Sequence, residues 1–317
     1  MPSFVRSVDH RTRLAGTNRL EVLLFTLGDA AENARPELFG INVFKVREIM
    51  YPPEITRAPD MPVAVEGIVN IRGVVIPVID LATFCSIQAR GKPKLLIVTE
   101  YNNNVQAFLV RSVVNLERLD WGNVKAPPPM LTNHMGGLVT AVAELPDGRL
   151  VMLMDVEKVL ADTAGLYDDN ALYEGIDSRA NGEATVVFAD DSSVARGQIA
   201  STLDRMGFKH VGARNGAEAW RKLTELAERE ALTGRAVEDE VRLIITDVEM
   251  PEMDGYVFTR KVKEDPRFGK IPVIMHSSLS ARANEELGMS VGADAYVSKF
   301  RPRDLAATIE AILAGQV

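Results

Sequence analysis

The sequence predicts two domains of different class, an all-β half followed by a doubly wound α/β half, on three observations. From Leu20 to about Asp162, short β-branched or apolar runs are separated by turn residues. After Glu183 the runs alternate with stretches of helical periodicity, strand then helix, through to the end of the chain. Between them lies a polar, turn-rich stretch carrying Asp168-Asp169-Asn170 and Ser178-Arg179-Ala180-Asn181-Gly182. A chain of 317 residues suits two domains of ordinary size. The expected division is a tail over 1–19, a β domain over 20–165, a linker over 166–182 and an α/β domain over 183–317.

The β half reads as LEVLLFTLG, FGINVFKV, GIVN, VVIPVIDL, KLLIVTEY, VQAFLVR, GLVTAVAEL and RLVMLMD, a sandwich or barrels. Asn102-Asn103-Asn104, Arg72-Gly73 and Pro146-Asp147-Gly148 mark turns. Pro77 has no N–H for a ladder, so VVIPVIDL is expected to be an edge, a bulge or two strand pieces. A helical patch over Val156 to Ala161 closes the region.

The α/β half opens on the strand ATVVFAD. A helix follows with Ala195, Ile199, Leu203 and Met206 on one face. Then come FKHVG, a helix carrying Trp220, Leu223 and Leu226, the strand RLIITD, a helix from Tyr256, PVIMHSS, a helix around Glu285, DAYVSK, and a last helix with Leu305, Ile309 and Ile312. Strict alternation of five strands and five helices implies a parallel sheet covered on both faces. The charged run Glu228 to Glu240 is not required by this architecture and reads as a solvated helix end.

Net charge is -8, with an acidic excess in each half, so neither has the basic surplus of a nucleic-acid binder. Cys85 is the single cysteine, which excludes an intrachain disulfide and a cysteine-rich metal site. Met1 to Asn18 lacks the apolar middle of a signal peptide, and no apolar run is long enough to span a bilayer. A cytoplasmic protein without direct membrane insertion is expected.

In an open α/β sheet, ligands meet the carboxyl ends of the strands. The stretch LIITDVEMPEMDG delivers Asp247 there, and Asp190-Asp191, Ser277 and Lys299 end other strands. Taken singly these have bland readings: a solvated Asp pair, a polar Ser beside Ser278, and a lysine. Three converging carboxylates repel one another unless a cation joins them, and a hard divalent ion, magnesium, suits carboxylates that must share it with a phosphoryl group. A carboxylate can attack a phosphoryl donor to give an acyl phosphate, with Lys299 neutralising charge and Ser277 donating to a phosphoryl oxygen. Met250-Pro251 and Asp254-Gly255 read as a tight loop, with Gly255 supplying positive φ.

On Asp190-Asp191, Asp247-x-x-Met250-Pro251-x-x-Asp254-Gly255, Ser277 and Tyr296-x-x-Lys299, residues 183–317 resemble a response-regulator receiver domain. The resemblance implies that Asp247 accepts a phosphoryl group from a phosphohistidine of a histidine kinase. It implies Mg2+ held directly by Asp191, Asp247 and the backbone carbonyl of Glu249, with Asp190 helping through water, and a switch formed by Ser277 and Tyr296. By residue type alone Tyr296 reads as half-buried core. Phe300 departs from the proline usual after the lysine.

The β half contains no Ser-His-Asp grouping, phosphate loop or metal-spaced histidines. Its strings GIVNIRGVVIPVIDL, FGINVFKVREIM, ITRAPDMP and GLVTAVAELPDGRLVMLMDVEKVL resemble a CheW-like coupling domain, which implies paired small β-barrels that hold chemoreceptor tips and the chemotaxis histidine kinase together. Val46, Asn70 and Arg72 are the positions expected to contact partners. The whole arrangement resembles the CheV-type coupling proteins. The function it implies is a non-catalytic adaptor modulated by phosphorylation of Asp247, with a tethered phosphate sink as the alternative. A transcriptional regulator is disfavoured by the acidic balance and the lack of a helix-turn-helix outside the receiver.

Overall fold

The computed structural model describes residues 19–29, 35–57, 59–88, 91–101, 104–135, 137–164, 170–176, 184–232, 234–278, 282–299 and 301–315. Two compact units result, one built on Leu20–Ala171 and the other on Leu172–Asp191 with Ala195–Val317.

The first unit contains β1 (Arg19–Thr26), β2 (Leu38–Asn42), β3 (Val46–Met50), β4 (Val65–Ile71), β5 (Val74–Asp80), β6 (Leu95–Tyr101), β7 (Asn104–Val110), β8 (Ser112–Asp120), β9 (Val124–Lys125), β10 (Val139–Glu144) and β11 (Leu150–Met154). Helices α1 (Leu81–Phe84), α2 (Pro129–His134) and α3 (Val156–Ala164) accompany them. One sheet has the order β8-β1-β2-β11-β10-β9 and the other β3-β6-β7-β5-β4.

Several strands are apolar on both faces because both faces are buried, each in a different core. In β1, Val22 and Leu24 join Trp121, Val124 and Val151 inside the first sheet. The alternate residues Leu23 and Phe25 pack instead with Ile97 and Phe108 of the second sheet. Leu96 and Val98 of β6 turn the other way, into a core with Ile76, Val78 and Ala107. Each sheet therefore encloses its own core, and a third core joins the two, as paired small barrels require. Closure of the second sheet shows at its outer strands. Thr56, beyond the end of β3, bridges Ile68 of β4, and Arg72 at the β4–β5 turn donates to Glu48 of β3 at 2.8 Å.

Pro77 lies in one continuous strand inside the sheet, not at an edge or between two pieces. Its partner Ile68 directs both its N–H and its C=O at Thr56, so Ile68 and Pro77 are a non-hydrogen-bonded pair, and the nitrogen of Pro77 faces β7. Pairing of β5 with β7 begins only at Val78, so no ladder donor is missing.

The second unit contains β12 (Thr185–Ala189), α4 (Ser193–Met206), β13 (Lys209–Ala213), α5 (Gly216–Leu232), α6 (Val237–Glu240), β14 (Val241–Thr246), α7 (Gly255–Glu264), β15 (Val273–Ser277), α8 (Arg282–Ser290), β16 (Ala295–Ser298) and α9 (Pro302–Leu313). All strand pairs are parallel, in the order β13-β12-β14-β15-β16. Val186 and Phe188 of β12 pack under α4 and α9, through Ile199, Leu203, Leu305 and Ile309. Val187 and Ala189 pack under α5 and α7, through Leu223, Leu226, Phe258 and Val262. The doubly wound fold expected from the alternation is what the chain forms.

The run Glu228 to Glu240 is more than a solvated helix end. It comprises the last turn of α5, a connection, and the extra helix α6. Glu230 is only 3% exposed and ion-pairs with Arg235 at 2.8 Å, Val237 is buried, and Glu240 accepts from Thr185 Oγ1 at 2.7 Å. Part of the expected linker is also anchored on this unit: Tyr173 is buried with Arg205 4.8 Å above its ring, and Ile176 packs on the α4/α9 core. Among the described residues, no helix is long and apolar enough to cross a membrane.

Candidate functional site: an acidic cluster at the strand ends

Strand order alone brings the key carboxylates together. The chain leaves β12 toward β13 on one side and returns to β14 on the other, so β12 and β14 are neighbours at the point where the winding reverses. The hydrogen-bond ladder continues one residue past the strands. Asp190 N–H donates to Ala213 O at 3.1 Å, Asp247 N–H to Ala189 O at 2.8 Å, and Lys299 N–H to Ser277 O at 3.0 Å. These backbone bonds hold Asp190, Asp247 and Lys299 in line along the carboxyl edge.

Asp190, Asp191 and Asp247 each offer a carboxylate oxygen, and these oxygens lie within 4.8 Å of one another. Asp190 and Asp247 are buried, and Asp191 is half-buried. Lys299, 2% exposed, places Nζ 2.9 Å from Asp190 Oδ2 and 2.8 Å from Asp247 Oδ2. Buried charges persist when paired and hydrogen-bonded. Three carboxylates outnumber the cations beside them, and an all-oxygen donor set with a negative excess fits a hard divalent cation.

The loop after Asp247 shapes the site, though not as the Asp-Gly dipeptide suggested. Positive φ occurs at Glu252 (65°), whereas Gly255 is absent from the positive-φ positions. Gly255 is required for space: a Cβ there would lie 2.0 Å from the carbonyl oxygen of Asp247. Gly255 N–H donates to Val248 O at 2.9 Å, folding the loop back on itself, and Asp254 caps α7 by accepting from Val257 N–H at 2.7 Å. Burial raises the Asp254 carboxyl above its usual range, with the backbone donors of Val257 and Tyr256 opposing the rise. Glu249 is half-buried in this loop.

Ser277 ends β15 and is buried, and the hydroxyl of Tyr296 on β16 is hydrogen-bonded to it. The Tyr296 ring packs against a core of Val248, Tyr256, Met275, Val291 and Ala293, and burial lifts its phenol above the ordinary range. Tyr296 is thus both part of the core and linked through its hydroxyl to the strand end. Phe300 lies outside the described residues.

The structure assembles the expected coupling-domain positions less evenly. Asn70 and Arg72 are exposed at the β4–β5 turn. Asn70 Oδ1 accepts from Gly73 N–H at 2.9 Å and so closes the turn, while Arg72 has φ 54° and pairs with Glu48. Val46 is half-buried, pairs with Thr99 of β6, and packs on the inter-sheet core. Sequence reasoning missed Arg196 of α4, whose Nη1 donates to the main-chain oxygens of both Asp190 and Asp191 at 2.8 Å. Nothing in the sequence distinguishes it from an ordinary helix arginine.

The chain thus carries a two-sheet β module and a parallel-sheet domain with an acidic strand-end cluster. Residues 21–164 match the CheW-like domain and residues 186–310 the response regulator receiver domain. The chain is 32% identical over 280 residues to chemotaxis protein CheV3 of Helicobacter pylori, covering 87% of this chain and 88% of that one. It is 26% identical to CheV1 of the same organism, covering 99% of both. Among solved structures, the scaffolding protein TtCheW from Thermoanaerobacter tengcongensis is 30% identical, covering 43% of this chain and 88% of that one, with a TM-score of 0.38. The chain belongs to the CheV family of chemotaxis proteins, and it is a chemotaxis coupling adaptor with a phosphorylatable receiver.

Proposed function

We propose that Asp247 is the phosphoacceptor and that its phosphorylation changes how the CheW-like half engages chemoreceptor tips and the chemotaxis histidine kinase. The observation that carries the reading is the convergence of Asp190, Asp191 and Asp247 on one point, with Lys299 bridging Asp190 and Asp247. Asp247 is the carboxylate at the centre of the sheet edge. Its Oδ1 accepts from Val248 N–H at 2.7 Å and its Oδ2 from Lys299, which fixes the direction from which a phosphoryl donor is attacked.

Asp190, Asp191 and Asp247, with the backbone carbonyl of Glu249, are the residues that would hold Mg2+, which supplies charge neutralisation at the transferring phosphoryl group. Lys299 follows the negative charge as it moves from the carboxylate onto the phosphoryl oxygens. The Ser277 hydroxyl donates to one of those oxygens, exchanging its bond with Tyr296 for one to the new group. That exchange is the candidate switch. Val46, Asn70 and Arg72 are the proposed partner-contact positions, with Arg72 the exposed anchor. Coupling proteins of this type are not enzymes, although a receiver takes part in its own phosphorylation and dephosphorylation. A cytoplasmic protein held at membrane receptor arrays by its partners follows from the same reading.

The test is binding of the full chain to a reconstituted receptor–kinase array, with and without beryllofluoride plus Mg2+, using Asp247→Ala as the control. A change in array affinity or kinase output that the control lacks is expected. Beryllofluoride taken up by the receiver with no change in either would replace the switched adaptor with a tethered phosphate sink.

A further inference from the structure

Arg196 occupies the first turn of α4, half-buried, five residues after Asp191. A single atom, Nη1, donates to the carbonyl oxygens of Asp190 and Asp191, both at 2.8 Å. The N–H of Asp190 is tied to Ala213 O from the other side. Three main-chain polar atoms of the Asp190-Asp191 turn are thereby fixed by bonds that use no carboxylate oxygen. Lys299 Nζ instead meets carboxylate oxygens, those of Asp190 and Asp247.

We propose that Arg196 is a positioning residue for the divalent-cation site, locking the two peptide planes of the acidic turn so that the Asp190 and Asp191 carboxylates converge with that of Asp247. The inference rests on the reading that this cluster binds Mg2+. The physical basis is that two carbonyls can meet one donor only if both peptide planes tilt the same way. Rotating either plane swings the attached side chain off the cluster. Guanidinium suits the task because its charge-assisted bonds are stronger than neutral ones.

The sign of the effect separates positioning from simple electrostatics. Deleting a cation beside three carboxylates would, by Coulomb attraction alone, tighten Mg2+ binding. Loss of positioning weakens it, and partners that orient metal ligands are worth about 10–100-fold in affinity.

The experiment titrates Mg2+ alone into the full chain by calorimetry. It compares wild type with Asp191→Ala, Arg196→Met, Arg196→Gln and Arg196→Lys, and records each melting temperature without metal. Met keeps the stem and removes the donors, Gln removes the charge and the reach, and Lys restores a cationic donor. Expected are binding by wild type, loss in Asp191→Ala, weakening by about tenfold or more in Arg196→Met and Arg196→Gln, and partial recovery in Arg196→Lys. If wild type shows no Mg2+ binding that depends on Asp191, the metal reading fails and the inference falls with it. If wild type and Asp191→Ala behave as expected but folded Arg196→Met binds as tightly as wild type or tighter, the inference alone is overturned. Should Arg196→Met fail to fold, the same comparison with Arg196→Gln decides.

Discussion

Replacing Lys299 by methionine is expected to destabilise the receiver by an amount that depends on pH in a defined direction. The ammonium is 2% exposed and within 3 Å of both Asp190 and Asp247, at 2.9 and 2.8 Å. Methionine keeps the stem and removes the charge, and breaking a buried ion pair from one side costs about 3–5 kcal/mol. A ceiling exists, because a carboxylate that loses its cation can take up a proton instead. Starting from a free aspartate value of about 3.9, that costs about 1.36 kcal/mol per pH unit, hence about 4 kcal/mol at pH 7 and about 1.5 kcal/mol at pH 5. Above the unfolded-state value the folded variant binds more protons than its unfolded chain, so its deficit against wild type grows as pH rises. Scanning calorimetry of the full chain without divalent ions, following the receiver transition, reads this as a drop of roughly 10–15 °C at pH 7 that shrinks by more than half at pH 5. A deficit under about 1 kcal/mol at pH 7, or one unchanged between the two pH values, would refute the assignment of Lys299 as the neutralising charge of the cluster.

Gly255→Ala places a methyl 2.0 Å from the carbonyl oxygen of Asp247, a backbone atom that no side-chain rotation can clear, so a receiver destabilisation of about 2–3 kcal/mol is expected in a denaturant titration. Burial, the largest cause in each case, holds the phenols of Tyr256 and Tyr296 above the ordinary range, so the folded state keeps protons that the unfolded chain releases. Receiver stability should therefore fall as pH rises past about 10, and Tyr256→Phe or Tyr296→Phe should leave the native tyrosinate absorbance at about pH 10.5 unchanged. Burial, reinforced by the charge of Asp80, pushes the Cys85 thiol up to about 12. At pH 8 a small alkylating reagent should modify Cys85 about a thousandfold more slowly in the folded chain than in denaturant, and comparable rates would show that the thiol is not shielded.

The receiver was legible because its chemistry lies where its regular structure ends. Each strand is a short apolar run, and a charged or hydroxyl residue directly after such a run has one place to go, the carboxyl edge of the sheet. Asp190, Asp247, Ser277 and Lys299 could be assembled from strand order without knowing a single side-chain contact. Gly255 was legible as a special position but not for its cause. A sequence shows that no side chain is present and does not show whether the backbone needs an unusual φ or a neighbour needs the space. The interior placement of Pro77 was hidden for a related reason, since whether its missing donor matters depends on which side of the strand faces β7 and where that pairing starts.

What the sequence left dark shares a physical character: it depends on groups that act through the backbone or through the far side of a strand. Arg196 reads as an ordinary helix arginine, and only the positions of two carbonyl oxygens reveal what it holds. Strand β8 begins SVVNLER with Val114 and Leu116 exposed, so its outward residues do not follow the alternation that marks a half-buried strand, and it went unread. The coupling surface is harder still. Arg72 and Asn70 sit on a turn whose geometry is satisfied internally, by Gly73 N–H and by Glu48, so their composition is explained without a partner. That gives the surface a discriminating test. Arg72→Ala removes an exposed ion pair worth at most about 1 kcal/mol to the fold, so a loss of array binding much larger than tenfold at unchanged stability can come only from contact with a partner. Equal binding by Arg72→Ala and wild type would remove Arg72 from the interface and leave it a turn residue paired with Glu48.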